Sequence, residues 1–292
     1  MAIHIALAPE TIAHVGNIPI TNSILTTWLL MAVVLVLGLV LRGNLKLVPG
    51  KIQSIFESLI EYLYDLTKSA ISNQAVAEKI FPLIFTYFFF ILIANWFGLL
   101  PGVGSIGLKE VEDGATKIVP IFRAPTSDLM TTFALATVSV FVTHYLGIKA
   151  SGILKYLKRF FNLKSPLDLF VGVLEFISEF SKWITFTFRL FGNIFAGEVL
   201  ISVMTFLLPV FVPIPFYGLE IFVGFIQAFV FAILTIVFVS IAVEQHGGDD
   251  KKKLEGTHHQ DELTATADTV ESIKEVNNTN ASMMRPQQVE GV

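Results

Sequence analysis

The chain has 292 residues, of which 53% are hydrophobic and only 15% are Asp, Glu, Lys or Arg. A soluble domain carries charge nearer a quarter of its residues, so much of this surface does not face water. Cysteine is absent, which excludes a disulfide framework and thiol chemistry, and a net charge of −4 gives no footprint for a nucleic-acid partner.

Residues 1–21 hold His4, Glu10 and His14 but no Lys or Arg. The basic region of a signal peptide is therefore missing, and the stretch reads as an external N-terminal segment ahead of a retained helix. The membrane domain is expected over 22–246. Its first span is 22–41, with Trp28 near one interface, a preferred place for that amphipathic ring. Arg42, Lys46 and Lys51 follow. Over about 52–71, Ile52, Ile55, Phe56, Leu59, Ile60, Leu63 and Leu66 recur at helical spacing, with Glu57, Glu61, Asp65 and Lys68 between them. This predicts an amphipathic helix lying on the membrane or on a neighbouring subunit. Residues 80–100 form a second span closed by Pro101-Gly102. A polar loop of mixed charge, 101–127, leads to the third span, 128–148.

Beyond Pro166 the apolar runs lengthen. Residues 167–208 are about twice what one crossing of about 20 residues needs, and 216–243 are also long. Pro209, Pro213 and Pro215 lie between them, and proline is poorly tolerated inside helices. The expected fold is therefore an all-α polytopic membrane protein. It has three transmembrane helices or so, one amphipathic surface helix, and a pair of long tilted helices forming a hairpin over about 167–245. From 247 to 292 the chain is polar and poor in aromatics, the composition of a disordered tail. Segments 42–51 and 149–164 carry three and five Lys or Arg respectively, and topology puts both on one side, together with Lys251–Lys253. By the positive-inside rule that side is the cytoplasm, which leaves the N-terminus outside and the C-terminal tail cytoplasmic.

Within the long helices lie Glu175, Glu179, Lys182, Arg189, Asn193, Glu198, Glu220 and Gln227. A charge at mid-bilayer costs roughly 2.5–3.5 kcal/mol on insertion scales, so such residues face a partner or a water-filled cavity. Glu179 and Lys182 read equally well as an internal pair or as end charges that snorkel. At 100° per residue, Asn193 and Ala196 share the face of Arg189, and Ser178 and Glu175 return to it about 16 and 21 Å along the axis. Glu198, nine residues on, points to the opposite side and cannot pair with Arg189 within the helix. Gly192, Ala196 and Gly197 leave a shallow groove of the kind that admits another helix. A hairpin turn near Leu208–Pro209 would bring Glu198 level with Glu220 and Arg189 level with Gln227; a turn nearer Pro213 would shift this register.

The string RLFGNIFAGE at 189–198 and IQAF at 226–229 closely resemble subunit a of the F-type ATP synthase. NWFGLLPG at 95–102 and the Pro125–Asp128 entrance to the third span resemble the family too, so the likeness covers roughly residues 20–246. The resemblance implies a proton-translocating stator subunit that presents two offset half-channels to a rotating ring of c subunits. It implies that Arg189 faces the ring carboxylate, that Glu198, Glu220, Asn193 and Gln227 fall on the outer half-channel, and that Glu175 and Ser178 fall on the inner one. Where some bacterial members carry an acid this chain has Gly98, so a proton contact there is lost or moved. The implied partners are the c-subunit ring, b-type peripheral stalk subunits, the remainder of the ATP synthase and membrane lipid. The implied location is the plasma (inner) membrane of a bacterium. No cofactor, no metal and no site for ATP chemistry are expected in this chain. Two other classes compete. A secondary transporter holding an anion at Arg189 would show internal repeats, and none is found. A membrane-embedded enzyme would need a metal-spaced cluster or a nucleophile–base pair, and the sequence offers neither.

Overall fold

Among the residues that the structure describes, the apolar runs become helices and the two polar stretches on the N-terminal side of helices become small hairpins. The structure is a computed structural model, and it describes residues 8–16, 18–43, 46, 49–100, 102–103, 106–112, 115–160, 166–208 and 211–244. The expected tail at 247–292 lies outside the described residues. In order, β1 (Thr11–Val15) and β2 (Ile18–Thr21) precede α1 (Asn22–Gly43), α2 (Lys51–Ala70) and α3 (Gln74–Gly98). Strands β3 (Gly107–Glu112) and β4 (Ala115–Pro120) follow, then a 3-10 turn at Pro125–Ser127, α4 (Leu129–Ser151), α5 (Ile153–Phe160), α6 (Pro166–Leu207) and α7 (Pro213–Glu244). Helices α1, α3, α4, α6 and α7 are each long and apolar enough to cross a membrane. Their outward side chains, such as Leu35 on α1, Phe141 on α4 and Phe222 on α7, are exposed. Water would not tolerate apolar surface on that scale. The chain is an all-α polytopic membrane protein.

Local chemistry sets the helix ends. The Asn73 side chain accepts from the backbone N–H groups of Ala75 and Val76 and so caps α3, supplying the acceptor that a helix's first turn lacks. Asp128 does the same for α4 through Met130 N at 3.1 Å, and its other oxygen accepts from Ser23 Oγ at 2.7 Å, which ties α1 to α4. Gly152, at φ 81, ends α4 and donates to the Ile148 carbonyl, a positive φ suited to a residue without Cβ.

One expectation gains a partner and one needs correction. Part of the apolar face of α2 packs on α3 and α7 of the same chain. Leu63 is fully buried, Phe56 stacks on Phe89 and Tyr62 on Phe229, and Ser240 Oγ donates to the Ala70 carbonyl. This chain's own aromatics cover one side of the helix, and Ile55 and Ile60 remain exposed at 68% and 36%. The 101–127 loop is also not wholly irregular. β3 and β4 pair antiparallel, Gly107 opposite Pro120 through Glu112 opposite Ala115, and β1 pairs with β2 in a second hairpin.

The core centres on α3 and α7. Phe88, Ile84 and Ile91 of α3, and Phe231, Ala232 and Val239 of α7, are at most 1% exposed. Phe186 of α6 stacks on Phe231 with ring centroids 4.0 Å apart. Polar bonds join the helices at depth, as expected where lipid supplies no hydrophobic drive between them. Trp183 Nε1 donates to Thr137 Oγ1 at 3.2 Å. Thr235 Oγ1 donates to the Phe231 carbonyl, so in its 3.0 Å contact with Ser139 Oγ the serine is the donor. A double-mutant cycle of Ser139→Ala and Thr235→Val, followed by reversible unfolding in bicelles, should return a coupling of about 0.6 kcal/mol and no more than about 1.7 kcal/mol.

Candidate functional site

Helix α6 presents two different faces. Phe186, Leu190, Ile194 and Gly197 are buried toward the protein, whereas Ser178, Ser181, Thr185, Asn193 and Ala196 are exposed along a line that contains half-exposed Arg189. The line steps by three or four residues, the spacing of one helix face. Among the described residues the Arg189 guanidinium has no hydrogen-bond or ion-pair partner.

From Arg189 toward the start of α6 runs an open groove of about 470 Å³. Ser178, Ser181, Lys182, Thr185 and Arg189 form its polar side, and Leu234 and Phe238 of α7 supply apolar wall. Lys182 Nζ donates to Glu179 Oε1 at 2.9 Å and lies 5.7 Å from the centre of the Phe238 ring. The two residues are therefore an internal pair rather than snorkelling ends. Glu175 is half-buried and does not line the groove. Of the two residues placed on an inner path, the structure brings only Ser178 into the groove with Arg189.

On the other side of Arg189 the hairpin register becomes visible. Asn193 Nδ2 donates to Gln227 Oε1 at 2.8 Å. Gln227 thus meets Asn193, and Arg189 lies one turn away from it, in the groove beside Leu234. Glu220 is buried at 6% exposure and lies against Gly197. A Cβ at Gly197 would sit 2.1 Å from the Glu220 carboxylate atoms, closer than any real contact. Glu198, one residue on, is rotated away and exposed. The two acids are close in sequence register but occupy different surroundings, one within the hairpin and one on its outer face. The small residues divide as well. Gly197 serves the hairpin internally, whereas Gly192 has nothing within 4 Å of where its Cβ would stand and Ala196 is exposed.

Helix α3 fixes the rotation of α7 at this point. Asn95 Nδ2 donates to the Gly224 carbonyl at 2.9 Å, and Trp96 Nε1 donates to the Ile221 carbonyl at 3.0 Å. Both carbonyls lie within about one turn after Glu220. A Cβ at Gly224 would stand 3.1 Å from Asn95 Cβ, so Asn95 would have to give by a few tenths of an ångström to admit one. Asn95 Oδ1 is buried and has no partner among the described residues. Sequence reasoning did not single out Asn95 or Trp96 as site residues, although both lie in the NWFGLLPG string. Nor did it find Arg123, which reads as one charge in a polar loop. Its side chain is 6% exposed and donates to the Ala8 carbonyl and to the Ser127 hydroxyl and carbonyl. Gly98 has a steric reason. A Cβ there would lie 2.7 Å from Ala124 Cβ, so this chain has no room for an acid at that position.

The comparisons with known proteins agree with one another. The family described as "ATP synthase A chain" matches residues 24–240. The "ATP synthase subunit a" of Gloeobacter violaceus is 38% identical over 229 residues, covering 77% of this chain and 85% of that protein. The "ATP synthase subunit a" of Desulforamulus reducens is 36% identical over 237 residues, covering 78% and 81%. The "ATP synthase subunit a, chloroplastic" of Stigeoclonium helveticum is 37% identical over 224 residues, covering 76% and 85%.

Proposed function

The chain belongs to the ATP synthase A chain family, and from that premise and the geometry above we propose that it is the stator subunit through which protons reach and leave a rotating c-subunit ring. The observation that supports this most directly is Arg189. A guanidinium inside a membrane helix, without a partner among the described residues and on a line of small and polar exposed residues, calls for an anion carried by a helix that passes outside this chain. A ring carboxylate meets that need.

The ring carboxylate is neutral while it faces lipid, because burial disfavours the charged form. Opposite Arg189 the charged form is favoured, and the proton is released. The guanidinium itself does not deprotonate, so it separates the two access paths instead of joining them, and protons cross only by riding the ring. In this reading Glu198, Glu220, Asn193 and Gln227 belong to the outer half-channel. Glu175 and Ser178 belong to the inner one, Ser178 through the groove that ends at Arg189. Residues 1–21 are external, 22–246 are the membrane domain, and 247–292 are a cytoplasmic tail. The partners are the c ring, b-type stalk subunits and the remainder of the synthase, and the setting is a bacterial plasma (inner) membrane.

Gentle solubilisation followed by affinity purification and mass spectrometry tests the assignment. A c subunit, b-type subunits and a catalytic head should accompany the chain, and their absence would remove the reading. Orientation is tested separately in this cysteine-free chain. Cysteines placed at Thr11 and Thr264 should react with impermeant reagent from opposite faces of sealed vesicles.

The two acids give a graded prediction. Glu198→Gln and Glu220→Gln should each slow ATP-driven acidification of vesicles several-fold, while co-purification of the complex stays intact. Loss of a positioned proton-transfer group typically costs on the order of 10²–10⁴ in a reaction with no alternative path, and water in an outer path softens that loss. Normal pumping in both variants would remove the outer half-channel assignment.

A further inference from the structure

The groove beside α6 holds two cations, Lys182 and Arg189, and they are held very differently. Lys182 stands about two turns before Arg189, so the two side chains leave α6 on nearly the same face, about 10 Å apart along its axis. Side chains on a helix lean toward its N-terminus, which brings the guanidinium toward Lys182, and both line the one groove. Arg189 has no partner among the described residues. The Lys182 ammonium is fastened twice. It donates to Glu179 Oε1 at 2.9 Å and lies 5.7 Å from the centre of the Phe238 ring. The pair is sheltered, with side-chain exposures of 27% for Lys182 and 17% for Glu179. Glu179 stands one turn nearer the helix start and does not line the groove, to which α7 presents Leu234 and Phe238. No acid is among the lining residues.

Two cations on one face pose a problem that one does not. An anion meeting Arg189 from outside the chain lies within the combined span of both extended side chains. A free ammonium would share it, and a carboxylate held by two fixed charges departs more slowly than one held by one. We propose that Glu179 is a positioning residue that parks Lys182, drawing its ammonium toward the start of α6 and against the Phe238 ring, so that the passing carboxylate meets Arg189 alone. The assignment rests on the proton-path reading above and adds to it a residue that acts through another. Stability is a poor reason for the pair, because replacing a sheltered ion pair by apolar residues of similar size is often neutral or favourable. Two charges inside a membrane helix are costly to insert, and holding an ammonium in one place is a task that apolar residues would not perform. Parked, Lys182 still makes that wall of the groove polar.

The test compares whole complexes in vesicles, with Arg189 untouched throughout. Glu179→Gln frees Lys182 and should slow ATP-driven acidification about tenfold, the effect of a unit charge about 12 Å from the carboxylate at an effective dielectric constant of about 20. Glu179→Asp keeps the charge and should stay near the unsubstituted rate. Removing the ammonium as well, by Glu179→Gln with Lys182→Gln, should restore most of the loss. A structural role or a proton-relay role for Glu179 predicts no such rescue, because deleting a second charge repairs neither. Glu179→Gln with Lys182→Met is made beside it, and co-purification reports assembly of each. Raising the salt about tenfold should also lift the Glu179→Gln rate by screening the freed ammonium, and this arm decides the matter where neither double variant assembles. The proposal is overturned if Glu179→Gln pumps normally, if it fails to assemble, or if its slow rate answers neither to salt nor to loss of Lys182. An unsubstituted complex that moves no protons would instead remove the proton-path reading itself.

Discussion

Arg189→Ala is expected to abolish coupled ATP synthesis and ATP-driven proton pumping while the subunit still inserts and co-purifies with its complex. Insertion survives because nothing among the described residues depends on the guanidinium. It has no partner among the described residues, and it stands at the end of an open groove rather than in the core. Removing a mid-bilayer charge relieves a cost of roughly 2.5–3.5 kcal/mol on insertion scales, so assembly has no reason to suffer. On the proposed mechanism coupling fails, because the fixed charge assigned to draw the proton from a passing carboxylate is gone. The same change should open a passive leak once the catalytic head is stripped from vesicles, measured as collapse of an imposed pH gradient. Arg189→Lys should fail as well, since an ammonium is a compact, strongly hydrated point charge without the planar fork of arginine. An assembled Arg189→Ala complex with normal pumping would refute the mechanism.

Gly197→Ala should be nearly as severe, for a steric reason. The added methyl would fall 2.1 Å from the Glu220 carboxylate, and Glu220 is buried at 6% exposure between the two long helices, so the carboxylate cannot swing aside freely. Either the helices part or the acid leaves its place. Overpacking of this kind costs typically about 1–3 kcal/mol, and proton entry should fall at least tenfold, a loss worth about 1.4 kcal/mol of barrier. Pairing the change with Glu220→Asp withdraws the carboxylate by one methylene and should restore assembly in part, which separates a steric clash from a general need for glycine. Gly218→Ala on α7 is the control. Its methyl would meet nothing within 4 Å, and a helix interior gains roughly 0.5–1 kcal/mol on that exchange. Thermal unfolding of the purified complexes and vesicle acidification measure both.

These two glycines also show where the sequence was readable. Hydropathy alone marks the five spans, because twenty consecutive apolar residues leave few alternatives. The face shared by Arg189, Asn193 and Ala196 follows from helical angles, and the structure exposes it as a line. Register across the hairpin does not follow, because it depends on how many residues the turn consumes. Asn193 meets Gln227, and Arg189 lies a turn away. Gly197 could equally have belonged to a groove for an outside helix, and only the bulk of the Glu220 side chain decides that it is filled from within. The β-hairpins carried a weak signal. The sequences Gly16-Asn17 and Asp113-Gly114 have the composition that favours two-residue turns, but their flanking strands are short and do not alternate. The partner of α2 was not legible at all. An amphipathic helix announces that its apolar face will be covered and is silent about what will cover it.

Helix α7 has one further consequence, which is mechanical. Carbonyls or side chains at Ile221, Gly224, Gln227, Thr235 and Ser240 are each tied to another helix by a hydrogen bond. The longest untied interval, Gln227 to Thr235, is about 12 Å. A beam pinned that often is stiff against sideways load. Between Gln227 and Thr235 the helix is held by packing instead, since Ala228, Phe231 and Ala232 are at most 1% exposed and Phe186 of α6 stacks on Phe231. A push on the exposed face of α6 therefore meets support along the length of α7, from hydrogen bonds at some levels and from packed side chains at the others.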